Sequence, residues 1–103
     1  MKMLASEAAA GIRGRLIGPD VEFDGASFDT RSLAAGQLFV PIVAERNGHE
    51  FIGAAYDAGA ALHLTSEPDD FRRSHTAIEV ADTARALMQL CLLYTSDAAD
   101  EYQ

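Results

Sequence analysis

The sequence predicts a small two-layer α/β domain with a mixed sheet. Three observations carry this. Segments rich in β-formers alternate with segments of helical periodicity, in the order strand–helix–strand–loop–strand–helix from Leu38 onward. Leu38 to Val43 is an unbroken apolar run, as expected of a central strand covered on both faces. The chain has 103 residues, 49% hydrophobic and 23% charged, which suits one folded domain and no second.

The elements follow in order. Met3 to Ala10 reads as a helix, with Leu4, Ala8 and Ile12 on one face and Gly11 placed to end it. Arg15-Leu16-Ile17 is a short strand, and Gly18-Pro19-Asp20 a turn. Val21, Phe23 and Gly25 alternate with Glu22 and Asp24, the pattern of a half-buried strand. A loop spans Ser27 to Gln37. In the Leu38–Val43 strand, Pro41 lacks an N–H and conflicts with a fully bonded ladder. A helix runs from about Glu50 to Ala58, with Phe51, Ile52, Ala55 and Tyr56 as its apolar stripe and Gly59 as its stop. Ala61 to Thr65 and Thr76 to Val80 are strands separated by the polar loop Ser66–Asp70. Asp82 is an N-cap for a last helix carrying Ala84, Leu87 and Met88.

Composition excludes several classes of function. Eight Lys and Arg against sixteen Asp and Glu give a net charge of −8, and Lys2 is the only lysine. No broad basic surface is available for nucleic acid or anionic lipid, so neither a nucleic-acid nor a membrane partner is expected. A single cysteine, Cys91, excludes an internal disulfide framework and a multi-cysteine zinc site. The longest apolar run, Leu38 to Ala44, is far short of the roughly 20 residues that span a bilayer. Glu7 interrupts the signal-like start, and the chain reads as cytoplasmic. With one lysine, at position 2, there is no G-x-x-x-x-G-K-[ST] phosphate loop. His49, His63 and His75 lack metal-ligand spacing. His63 reads as a strand-face residue, and His75, beside Arg72-Arg73, as a solvated loop residue. No Ser/His/Asp constellation stands out. This stretch alone is expected to have no catalytic residue, no metal and no cofactor.

Two loops have the chemistry of a binding site. In Phe28-Asp29-Thr30-Arg31, Thr30 offers a hydroxyl and Arg31 a planar fork suited to phosphate or carboxylate. Asp29 can hold that arginine or accept from a sugar hydroxyl; in the plainer reading it caps the turn and pairs with Arg31. The second loop leaves the carboxyl end of the Leu38–Val43 strand, where open α/β sheets bind ligands. Arg46, Asn47, Gly48 and His49 precede a helix whose first N–H groups favour an anion, and Gly48 permits close backbone approach or a positive φ. The plainer reading there is a capped helix start.

Taken together, Asp29-Thr30-Arg31, Gly36, Leu38-Phe39-Val40-Pro41, Glu45-Arg46-Asn47-Gly48-His49-Glu50-Phe51 and Ala58-Gly59-Ala60 resemble the N-terminal domain of the Mur ligases, and Gly14 to Val21 fits as well. The resemblance covers nearly all of residues 1–90. Within the family it is closest to the type that adds D-alanyl-D-alanine to UDP-N-acetylmuramoyl-tripeptide, with the diaminopimelate- or lysine-adding type as runner-up. It implies a UDP-substrate-binding domain that holds the UDP end of a UDP-N-acetylmuramoyl-peptide. A central ATPase domain, using ATP and Mg²⁺, and a C-terminal domain would follow in the parent. Carried over, Asp29, Thr30 and Arg31 would contact or brace the UDP moiety, and Arg46, Asn47, Gly48 and His49 would line it. The family pattern has Gly where Ala44 stands, and often a longer loop with Asp where Asn47 stands. A self-contained nucleotide- or protein-binding module is the alternative from another class.

The tail differs in kind. Cys91 to Glu101 resembles a one-frame translation of the transposon-end adapter used in short-read sequencing libraries, which places the domain at 1–90 and a non-native tail at 91–103. Removing Asp97, Asp100 and Glu101 leaves thirteen acids against eight bases, a charge of −5. Residues beyond Leu90 are accordingly expected to pack poorly.

Overall fold

The computed structural model describes residues 2–43, 47–67 and 69–100. The chain runs through β1 (Lys2–Leu4), α1 (Ala5–Gly11), β2 (Arg15–Ile17), β3 (Glu22–Asp24), β4 (Ala26–Ser27) and β5 (Leu38–Phe39). A 3₁₀ turn (Gly48–Phe51) leads into α2 (Ile52–Asp57). Then come β6 (Leu62–Thr65), a second 3₁₀ turn (Asp70–Arg73), β7 (Ala77–Glu79) and α3 (Thr83–Asp100). Five strands form one mixed sheet in the order β2–β7–β6–β5–β4. Its β4, β5, β6 and β7 are parallel, and β2 is antiparallel to β7. The mixed α/β class expected from the sequence is thus the class observed.

Strand alternation sets the layers, because successive side chains point to opposite faces. Leu38, Leu62, Leu64 and Ile78 share one face with Ala5, Ala8, Ala9 and Ile12 of α1 and with Ala86 and Leu90 of α3. Phe39 faces the other way, onto Leu33 and onto Ile52 and Ala55 of α2, with Tyr56 and Phe71 packed alongside. The helix-on-sheet pair of layers expected from the sequence is present, and a second, thinner helical layer covers the opposite face. Each fully buried Leu, Ile or Phe contributes roughly 1.5–3 kcal/mol, so the core rests mainly on β5, β6 and β7.

Several boundaries depart from the sequence reading for identifiable reasons. Lys2, Met3 and Leu4 are not helical; they pair antiparallel with Asp24, Phe23 and Glu22. The helix begins at Ala5, with the Leu4 N–H donating to the Glu7 carboxylate at 3.1 Å. The Ser6 N–H and hydroxyl donate to Asp20 at 2.9 and 2.7 Å, and these bonds hold the Asp20 carboxyl below its usual range. The Leu38–Val43 strand is laddered only at Leu38–Phe39, and Val40 adds one further bond to Ser27 at 2.9 Å before Pro41 removes the next donor. The Glu50–Ala58 helix divides into the first 3₁₀ turn and α2. It stops as expected at Gly59, whose φ of +104° suits a residue without Cβ.

Asp82 caps α3 by accepting from the Arg85 N–H at 3.1 Å. The helix buries Thr83, Ala86 and Leu90, while Met88 is 66% exposed. Its inward stripe is therefore not the one that Ala84 and Met88 suggest. Leu93, beyond the boundary inferred at Leu90, packs onto the core cluster. A Cβ on Gly11 would meet the Leu93 side chain at 2.3 Å. The expectation of poor packing therefore fails at Leu93, whereas Cys91 and Leu92 are exposed.

Candidate functional site

The parallel run of β4 to β7 sends four loops off one edge of the sheet. Residues 28–31 follow β4, Val40 onward follows β5, Ser66 follows β6, and Val80 to Asp82 follow β7. Ligands of open α/β sheets bind outside such an edge.

A cleft of about 390 Å³ opens at its β4 end, lined by Phe28, Asp29, Thr30, Arg31 and Phe51. Short side-chain bonds shape its first loop. Ser27 Oγ donates to the Asp29 carbonyl at 3.1 Å and accepts from the Asp29 N–H at 3.2 Å. The Asp29 carboxylate accepts from the Arg31 N–H at 2.9 Å, from Nε at 3.1 Å and from Nη2 at 2.9 Å. This is both an Asx turn and a two-point ion pair. The Arg31 bonds hold the Asp29 carboxyl below its usual range and raise the guanidinium pKa. Asp29 thus braces Arg31, as in the plainer reading, and leaves the guanidinium's remaining N–H donors facing outward, since its side chain is 89% exposed. The Thr30 hydroxyl has no hydrogen-bond partner among the described residues. Two lining residues were absent from the sequence-derived set: Phe28, 64% exposed, and Phe51. Phe28 was legible as an exposed aromatic beside Asp29. Phe51 reads from the sequence as part of a helix stripe.

The second loop is organised differently from expectation. Asn47, Gly48 and His49 do not line the cleft; Arg46, with Ala44 and Glu45, lies outside the described residues. Asn47 Oδ1 accepts from the His49 N–H at 3.0 Å, and the Gly48 N–H donates to the Ile42 carbonyl at 2.8 Å. The first N–H groups of this turn are therefore satisfied within the chain, not presented to an anion. His49 is buried, and its Nε2 accepts from the Ser66 N–H at 3.0 Å. The ring proton consequently sits on Nδ1, 2.8 Å from Asn47 Oδ1. Asn47 Nδ2 donates to the Glu67 carboxylate at 2.9 and 3.1 Å. These bonds tie the loop after β5 to the exit of β6. Gly48 serves close approach, as expected, but the approaching group is the backbone of Ile42.

Below this edge lies a buried polar chain. His63 is fully buried on β6, a strand-face residue as read from the sequence. The Tyr56 hydroxyl donates to its Nδ1 at 2.5 Å, and its Nε2 donates to Asp69 at 3.3 Å. Burial lowers the His63 pKa and raises that of Tyr56. His75 is not simply solvated: its ring stacks on Tyr56 with centroids 3.7 Å apart. No group of three or more His, Cys, Asp or Glu among the described residues is placed to hold a metal ion. No helix of the described residues is long and apolar enough to cross a membrane.

The mixed sheet and its helices have the fold seen in solved MurF structures. The chain has Mur ligases as homologues and MurF as its structural neighbours, consistent with a Mur ligase N-terminal domain close to MurF. It is 36% identical over 103 residues to the UDP-N-acetylmuramoyl-tripeptide–D-alanyl-D-alanine ligase of Bacillus subtilis, a match covering 94% of this chain and 22% of that protein. It is 37% identical over 81 residues to the UDP-N-acetylmuramoyl-L-alanyl-D-glutamate–2,6-diaminopimelate ligase of Chlorobaculum tepidum, covering 75% of this chain and 16% of that protein. A crystal structure of MurF from Acinetobacter baumannii superposes with a TM-score of 0.76 at 22% identity, over 86% of this chain and 20% of that one. No protein-family model matches the chain. The chain thus spans about a fifth of the length of the curated relatives it matches.

Proposed function

We propose that this domain holds the UDP end of a UDP-N-acetylmuramoyl-peptide within a cytoplasmic, ATP-dependent ligase of peptidoglycan synthesis that adds D-alanyl-D-alanine. The observation that carries the reading is the cleft joining Asp29, Thr30 and Arg31 to Phe28 and Phe51. Phe28, 64% exposed, offers an aromatic face to a planar base. The Thr30 hydroxyl donates to the nucleotide, and Arg31, oriented by Asp29, presents its outward N–H donors to a phosphate. Beyond the cleft, Asn47 and His49 fix the course of the loop after β5 through Glu67 and Ser66. The diaminopimelate-adding type is the second reading; its Chlorobaculum relative matches a smaller part of the chain.

ATP and Mg²⁺ are assigned to the parent: the only lysine of this sequence is Lys2, which leaves it without a lysine-bearing phosphate loop. That chemistry belongs to other domains of the parent. NMR titration with UDP tests the placement. Thr30→Ala and Arg31→Ala are each expected to weaken binding about three- to tenfold, the worth of one ordinary hydrogen bond. Unchanged affinity in both variants removes these residues from the site.

We also propose that the native domain ends near Leu90 and that residues 91–103 are adapter-derived. Truncation after Leu93 is expected to leave the melting temperature unchanged. Truncation after Leu90 should lower it by a few degrees, because the Leu93 contact with Gly11 is lost. A large loss on cutting after Leu93 makes the tail part of the fold.

A further inference from the structure

We propose that the groove between the turn after α1 and the outer side of α3 is a separate binding site for a small phosphate monoester, with Arg13 and Arg85 as its charged donors. It does not rest on the nucleotide reading above. A pocket of about 460 Å³ lies there, with Ile12 and Arg13 after α1, Val80 and Asp82 after β7, and Arg85 and Gln89 on α3 in its lining. The Phe28 cleft follows β4, three places from β7 in the sheet order, a separation on the order of 15 Å.

α1 ends in a Schellman turn. The Gly14 N–H donates to the Ala9 carbonyl at 2.8 Å, and the Arg13 N–H to the Ala10 carbonyl at 3.4 Å. This pattern sets Arg13 at the left-handed position that glycine ordinarily fills. Its φ of +56° is the one positive value at a non-glycine residue among the described residues. That conformation crowds a Cβ against the backbone. The sequence has glycine at 11 and at 14 but arginine at 13, so local folding alone does not account for the choice. The same turn brings the Arg13 side chain to the pocket wall, and backbone strain of this kind gathers at ligand sites.

Charge decides the class of ligand. Neither the Arg13 nor the Arg85 side chain has a hydrogen bond or ion pair among the described residues, although the chain carries sixteen acids against eight bases. Asp82 lines the same pocket, but its Oδ1 accepts from the Arg85 N–H at 3.1 Å and caps α3. Two guanidinium groups against one carboxylate leave the lining positive. Guanidinium forks match the oxygens of a phosphate, and the Gln89 amide adds a neutral donor. Ile12 and Val80 offer apolar contact to the organic part of an ester. The volume falls within the roughly 300–1,000 Å³ of small-molecule pockets, more room than a bare phosphate fills.

NMR titration of the full chain with inorganic phosphate and with glycerol phosphate, each against sodium chloride at matched ionic strength, tests this. Phosphate is expected to shift the amides of residues 12–14 and 81–89, and chloride to leave them in place. Glycerol phosphate should bind about threefold more tightly than inorganic phosphate, the worth of one buried CH₂. Arg13→Gly and Arg85→Gln should each weaken phosphate about tenfold, the worth of one charge-assisted hydrogen bond. Arg13→Gly should also raise the melting temperature by a few degrees, because glycine relieves the left-handed backbone; that gain separates lost binding from lost folding. Equal responses to phosphate and chloride show screening alone and overturn the site. So does unchanged phosphate affinity in either variant. Shifts confined to residues 28–31 place the anion in the Phe28 cleft and overturn it as well. Weaker binding of glycerol phosphate overturns the ester class, and a lower melting temperature in Arg13→Gly overturns the reading of its backbone.

Discussion

Gly48→Ala is expected to destabilise the domain by about 3 kcal/mol, the upper range for overpacking, and to lower the melting temperature by roughly 10–20 °C. A Cβ at this position would stand 2.5 Å from the Ile42 nitrogen and 2.6 Å from its carbonyl oxygen. Both are backbone atoms, so no side-chain rotation relieves the clash. Relief requires parting the strand exit from the turn. That breaks the Gly48 N–H to Ile42 bond at 2.8 Å and the Val43–Asn47 bridge beside it. The His49–Asn47–Glu67 bonds would shift with them, and so would Phe51 in the cleft. Calorimetry or a circular-dichroism melt measures the loss. A shift under about 3 °C would show that the turn yields cheaply.

The second large effect concerns His63. Tyr56→Phe deletes the hydroxyl that donates to its Nδ1, leaving a fully buried acceptor unpaired, which costs about 1–3 kcal/mol. The same burial makes stability depend on pH. Burial, the dominant cause, lowers the folded-state pKa of His63; the Asp69 charge opposes it only in part. The unfolded histidine titrates near ~6.5. As the pH falls through that value, the unfolded chain takes up a proton that the folded chain refuses. The stabilisation is therefore fully present above about pH 6.5 and is lost progressively below it. Asp20 and Asp29, with lowered pKa values, lose their share only below about pH 4, so the two windows separate. Melting temperature between pH 7 and 5 should fall in the unmodified chain and fall less in His63→Gln. Identical slopes would assign the acid sensitivity elsewhere.

How far the sequence could be read depended on the range of the forces involved. Arg15–Ile17, the Gly59 stop and the Asp82 cap were legible because each depends on residues a few positions away. Lys2–Leu4 looks helical in sequence because its strand partner, Glu22–Asp24, comes from about twenty residues along the chain, and local periodicity does not register such a partner. The Asp29–Arg31 pair was legible for the opposite reason, since a two-residue separation lets one side chain close onto the other. The turn at Asn47 was not. Its anion-seeking look rested on unpaired N–H groups, and the partners that fill them arrive through the chain's return past Ile42 and Ser66.

By itself the sequence determined the α/β class, the order of elements from Leu38 onward, the absence of a lysine-bearing phosphate loop and the Asp29–Arg31 pair. Those follow from composition, periodicity and contacts over a few residues. Only the tertiary structure decided that Phe28 and Phe51 share a cleft and that Asn47 and His49 turn inward. Each of these depends on which strands lie side by side, and parallel pairing joins segments far apart in sequence by hydrogen bonds and burial that no short window of residues records.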